Sequence, residues 1–268
     1  MKNTKFRKRA LLSSVAMLLV ALVALGSATF AWFTSSTTAT ADQLSVKTVK
    51  ASELELSKHN GDWADQIHYG VANRVLKPAS SADGTHWFAA NADDKSSYAA
   101  DNTTITDIST QVTMGSNNSY VFFDQLNIRN KGAAAVDHVT ISFSVTETEA
   151  ASGKYLRLAL VPASARGTTA TITAANFAAN VYGSAADTAN PLIATTGTVV
   201  SSTAITAKNG ANVSIDIGSL TASTGATPAK YYNLYVWFEG QDEDCKDANA
   251  GNDMPEITFS VTGATAEQ

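Results

Sequence analysis

The amino-acid sequence predicts an all-β protein: an antiparallel two-sheet sandwich of jelly-roll type, with an irregular insertion and few short helices. Strand-length stretches alternate apolar and hydroxyl residues, most clearly in Val139-Thr140-Ile141-Ser142-Phe143-Ser144-Val145-Thr146, so one face packs and the other is wet. Such stretches recur at intervals of roughly 8–15 residues with turn signals between them. They alternate rather than run continuously apolar, which indicates antiparallel sheets with one exposed face. Only 16% of residues are charged, while Ala, Ser and Thr abound, a composition suited to closely packed extended chain.

The elements follow in order. Lys2, Lys5, Arg7, Lys8 and Arg9 precede an uncharged stretch from Ala10 to Ala41 with an apolar run, Leu11 to Leu25. A basic head, an apolar middle and a small-residue exit (Gly26, Ser27, Ala28, Ala31) make residues 1–31 a secretory signal peptide. Candidate cuts follow Ala28, Ala31 and Ala41. The same stretch is long enough to serve instead as a retained membrane anchor, since roughly 20 apolar residues cross a bilayer. Residues 32–268 read as a single β-sandwich domain with no internal repeat and no linker.

Within that domain, weak strands are expected at Leu44–Val49 and Leu54–Leu56. Strong ones are expected at Tyr120–Ile128, Val139–Thr146, Tyr155–Val161, Val213–Ile217, Tyr232–Phe238 and Ile257–Val261, with a further one at Thr198–Ile205. Arg129-Asn130-Lys131-Gly132 reads as the turn between two of the strongest. Lys58 to Thr110, with Gly61, Gly70, Pro78 and Asp83-Gly84, reads as a long insertion, and Thr173–Val181 as one helical stretch. Trp237 and Phe238 point to opposite faces of their strand, one into the core and the other toward the surface.

Charge narrows the partners. Loss of residues 1–31 removes five of 19 basic residues against 24 acidic ones, taking the net charge from −5 to about −10. Such a surface argues against nucleic acid and against anionic membranes once the leader is gone. The single cysteine, Cys245, excludes an intramolecular disulfide and leaves a thiol that could pair between chains.

No catalytic set is legible. The four histidines, His59, His68, His86 and His138, lack the close spacing of a zinc site, and HExxH, Gly-x-Ser-x-Gly and phosphate-loop patterns are absent. The expectation is a protein that is not an enzyme. The sharpest local constellation is the acidic loop 242–253. Its Asp242, Asp244, Asp247, Asn249 and Asp253 are hard oxygen ligands of the kind calcium takes. The EF-hand spacing fails, however, with Lys246 fifth and Asp247 where glycine belongs. Calcium is therefore a possible cofactor, and a solvated hairpin loop is the alternative.

Lys8-Arg9-Ala10-Leu11-Leu12-Ser13-Ser14, the apolar run and Thr29-Phe30-Ala31-Trp32-Phe33-Thr34 resemble signal peptides processed by the SipW-type peptidase of Gram-positive bacteria. Proteins with that signal include the TasA/camelysin family of biofilm-matrix proteins. The likeness covers about the first 35 residues. It implies a cut between Ala31 and Trp32 by the signal peptidase, a jelly-roll fold and a secreted, extracellular location. A second likeness, Tyr235 to Cys245, is to a segment common near the C-terminus of secreted Firmicute proteins.

Fibre-forming relatives assemble by strand donation, so the resemblance implies self-association into a homopolymer. Residues 32–49 are then the donor strand or N-terminal arm, with Trp32, Phe33, Leu44, Val46 and Val49 facing the next subunit. The expected function is a structural protein of the cell surface or biofilm matrix. Alternatives are a monomeric carbohydrate- or surface-binding module and, because the camelysin branch is described as proteolytic, a secreted metalloprotease.

Overall fold

A computed structural model describes residues 17, 44–48, 53–70, 75–90, 105–144, 155–169, 172–183, 208–209, 213–223, 229–240, 242, 245 and 257–265. Residues 1–40 and 41–268 form separate compact units, and the architecture below belongs to the second.

The chain folds as an all-β, two-sheet sandwich. The strands are β1 (Leu44–Thr48), β2 (Leu54–Ser57), β3 (Gln66–His68), β4 (Phe88–Ala90), β5 (Ile105–Asp107), β6 (Val121–Asn130) and β7 (Val136–Ser144). They continue with β8 (Leu156–Ala163), β9 (Val181–Gly183), β10 (Lys208–Asn209), β11 (Val213–Asp216), β12 (Ala229–Phe238) and β13 (Ile257–Thr265). One short helix, α1 (Ala174–Ala178), precedes β9, and the Thr173 hydroxyl caps it by accepting from the Asn176 amide.

One sheet has five strands in the order β11-β7-β13-β1-β3, and the other has six in the order β10-β9-β8-β12-β6-β2; β4 and β5 form a separate ribbon. Among the strands described, pairing is antiparallel except for β1 with β13 and β9 with β10. The long strands predicted from alternation are present with small shifts at their ends. The expected strand Thr198–Ile205 lies outside the described residues.

The turn at Arg129 to Gly132 does not make a hairpin within one sheet. Arg129 and Asn130 still belong to β6, and the chain then crosses to β7 in the facing sheet. Asn130 holds the crossing by donating to Ala134 O at 2.7 Å and accepting from the Gly132 amide at 2.8 Å.

The inner faces bury the main core, including Leu126, Ile128, Ile141, Phe143, Leu234 and Phe259. In the five-stranded sheet β7 alternates buried and wet positions, as expected for a strand with one solvated face. The six-stranded sheet departs from that expectation, because β6, β8 and β12 are buried on both faces. The reason is a second apolar cluster on its outer face. Phe123, Tyr235 and Trp237 from the sheet pack there against Trp87 and Ile108 of the insertion and Phe177 of α1.

The rings meet tightly: Phe123 stacks on Tyr235 at 4.1 Å, Trp87 meets Trp237 edge-on at 5.2 Å, and Phe177 stacks on Trp237 at 5.9 Å. The segment expected to be an irregular insertion thus contributes, among its described residues, β3 to the five-stranded sheet and a covering layer with the β4–β5 ribbon on the six-stranded one. Trp237 and Phe238 do point to opposite faces, yet both are buried, at 0% and 3% exposure, because each face has its own core.

Candidate functional site

Of the expected donor segment, residues 44–48 are described, and they lie inside the five-stranded sheet. The backbone of β1 pairs in parallel with β13 from Leu44↔Ile257 to Thr48↔Val261 and antiparallel with β3 at Ser45↔His68, Val46↔Ile67 and Lys47↔Gln66. The Val46 side chain is fully buried in the inter-sheet core. Because β13 is the last strand and β1 the first among the described residues, the slot is closed by contacts distant in sequence. Trp32, Phe33 and Val49, together with the cleavage pair Ala31 and Trp32, lie outside the described residues.

The slot is flanked by a strap. Residues 58–65 run from β2, the edge of one sheet, to β3, the edge of the other. Leu56 and Ala64 exchange backbone hydrogen bonds at 2.7 and 2.9 Å. The Trp63 ring carries two guanidinium contacts, that of Arg129 from β6 at 4.5 Å and that of Arg166 at 5.4 Å from its centroid. Arg166 also donates to the carbonyls of Lys58 and Gly61.

Arg129 is itself held by Glu55 of β2, whose other carboxylate oxygen binds Lys131 at 2.8 Å. Partial burial raises the Glu55 pKa, but hydrogen bonds from Lys131 and Arg129 outweigh it and hold the carboxyl below its ordinary value. Beyond β3, Tyr69 is buried edge-on against Phe122 at 5.3 Å and donates to Gln125 O at 2.8 Å.

The root of the acidic loop is built differently from the expected calcium loop. Asp242 is fully buried and accepts from Arg157 of β8 at 2.9 Å. Glu239 is also fully buried, and its Oε2 accepts from the Trp237 indole at 2.9 Å. The Glu239 amide donates to Tyr155 O and the Gly240 amide to Ala79 O, tying the loop's root to both neighbours. Cys245, buried and not disulfide-bonded, packs in the inter-sheet core. This burial removes it as a surface thiol for pairing between folded chains.

Among the described residues of this stretch, Trp237, Phe238, Glu239, Gly240 and Asp242 each have a packing or hydrogen-bonding task. Asp244, Asp247, Asn249 and Asp253 lie outside the described residues. Among the described residues no group of three His, Cys, Asp or Glu side chains is placed to hold a metal ion.

Three histidines pair with aspartates through Nδ1: His59 with Asp124 at 2.8 Å, His86 with Asp83 at 2.8 Å, and His138 with Asp216 at 3.3 Å. Asp83 organises a turn, accepting from the Thr85 and His86 amides at 2.8 Å. Burial raises its pKa, but those N–H donors outweigh it and leave the carboxyl below its usual value. The Ser81 hydroxyl accepts from the amides of Asp83 and Gly84 and so caps the same turn. These contacts order loops, and each pair stands on a different part of the molecule.

Two features had no counterpart in the sequence reading. Arg157 carries no local mark of being the partner of an aspartate 85 positions on. The Trp63 clamp joins residues from three separate stretches, and only the aromatic and basic residue types were visible. No family model matches the chain, and no curated protein and no solved structure is significantly similar to it.

Proposed function

We infer that the chain is a secreted structural protein of the bacterial cell surface or biofilm matrix, assembling into fibres by N-terminal strand donation. In this reading the signal peptidase cuts after Ala31, residues 32–49 become a free arm, and the domain has the jelly-roll topology of TasA-like proteins. The observation that carries it is the position of β1: a short strand inserted between β13 and β3, parallel to β13, with Val46 in the core. Without β1, the paired edge of Ile257–Val261 would lose its partner and the core would open at Val46.

A strand from a second copy presents the same backbone groups and the same side chain, so cis and trans filling are chemically equivalent. Trans filling is head-to-tail and need not close, which yields a filament. Backbone hydrogen bonds supply affinity, and buried alternate side chains set the register.

The test is N-terminal sequencing of the released protein with electron microscopy of the same sample. A first residue of Trp32 together with filaments is expected. A released chain that remains a sharp monomer at all concentrations would overturn the assembly and leave a monomeric surface-binding module as the better description.

A further inference from the structure

We propose that the strap at residues 58–65 is a latch on β1, and that the Arg129–Trp63–Arg166 stack is its lock, governing how readily β1 leaves its slot. The proposal rests on the strand-donation reading and adds its regulation. β1 has β13 on one side and β3 on the other, and β3 pairs with no other named strand among the described residues. To free β1, β3 has to move or release three residue pairs.

β3 spans only Gln66–His68, too short to hold by itself, and it is fixed at both ends. On its far side Tyr69 is anchored in the core through Phe122 and Gln125 O. On its near side the strap is held by the Leu56–Ala64 hydrogen bonds and by the contacts of Trp63 with the two arginines. The two arginines come from different elements, β6 and the stretch after β8, so the lock ties the strap to the body of the six-stranded sheet. Two guanidinium groups lie over the Trp63 ring, at 4.5 and 5.4 Å from its centroid, and each contact is favourable by cation–π attraction.

Trp63 is only half-buried and lies at the sheet edge, away from both apolar cores. Its removal should loosen the strap locally and not the whole fold.

The test compares the full chain with Trp63→Ala, Trp63→Phe and Arg166→Gln by amide hydrogen exchange read by mass spectrometry. The expected result is exchange in 44–48 and 66–68 faster by about tenfold in Trp63→Ala, less in Arg166→Gln, and near wild type in Trp63→Phe. Exchange in β12 should be unchanged. Unchanged exchange in β1 and β3, or an equal rise in β12, would overturn the latch.

Filament growth is scored separately on the chain that an exporting host releases, and Trp63→Ala should shorten its lag. If β1 and β3 loosen selectively while neither protein forms filaments, the latch stands and the assembly reading falls. If wild type forms filaments and Trp63→Ala neither loosens β1 nor hastens growth, the latch falls and assembly stands.

Discussion

Arg157 and Asp242 form an ion pair inside the protein, with Arg157 Nη2 donating to Asp242 Oδ2 at 2.9 Å and both side chains at 2% exposure or less. The pair fastens the start of the acidic loop to β8. Removing one partner strands a buried charge, so Arg157→Met or Asp242→Asn should cost about 3–5 kcal/mol, read from urea unfolding. The loss should be equal with and without millimolar calcium. A loss seen only when calcium is present would instead make Asp242 a metal ligand.

Trp87 fills the outer cluster rather than an exposed insertion. Trp87→Ala should therefore destabilise by about 3–5 kcal/mol and weaken the near-ultraviolet dichroism of the packed rings. A change within ~0.5 kcal/mol, typical of a surface position, would show that the covering layer contributes little.

Gly84 sits at φ +75°, and a Cβ there would lie 2.5 Å from the Phe177 ring. Gly84→Ala combines a left-handed backbone with a steric collision against a buried ring. A loss of about 1–3 kcal/mol is expected in denaturant unfolding. Pairing it with Phe177→Leu should recover part of that loss, because space opens where the methyl group points.

Burial pushes the Tyr232 phenol up to about 12 from the ordinary 10. Tyr235 is raised further, by burial first and by the nearby Asp83 charge second. A folded pKa above the unfolded one means the stabilisation is complete below pH 10. It is lost as the unfolded chain ionises and pH climbs toward the folded value. Stability should fall between pH 10 and 12, with Tyr232 accounting for on the order of 2–3 kcal/mol at the upper end. Tyr232→Phe should flatten that part of the curve measured by thermal unfolding against pH.

Much of the sandwich was legible because alternation is a local property. Val136–Ser144 and Val121–Asn130 carry it in their own residues. What alternation leaves open is the partner of each face. Tyr235 and Trp237 share one face of β12, and that face is covered only because Trp87 and Phe177, each far away in the chain, come to lie on it. The parallel pairing of β1 with β13 was equally hidden, since five residues from Leu44 to Thr48 do not encode which strand they join.

Asp242 looked like its acidic neighbours in sequence. Its burial follows from Arg157, a residue with no local signal. The resemblance of the first residues to a particular secretion signal supplied the functional expectation, and the proposed strand donation would act at the slot around Val46.

The central claim is that residues 32–49 can fill that slot in another copy of the chain. The most direct measurement is electron microscopy of the released protein beside a variant lacking residues 32–49, with and without a synthetic peptide of that segment. Strand donation predicts long filaments from the first, none from the second, and a soluble peptide-capped subunit when the peptide is added. Filaments of normal length from the chain without residues 32–49 would contradict it.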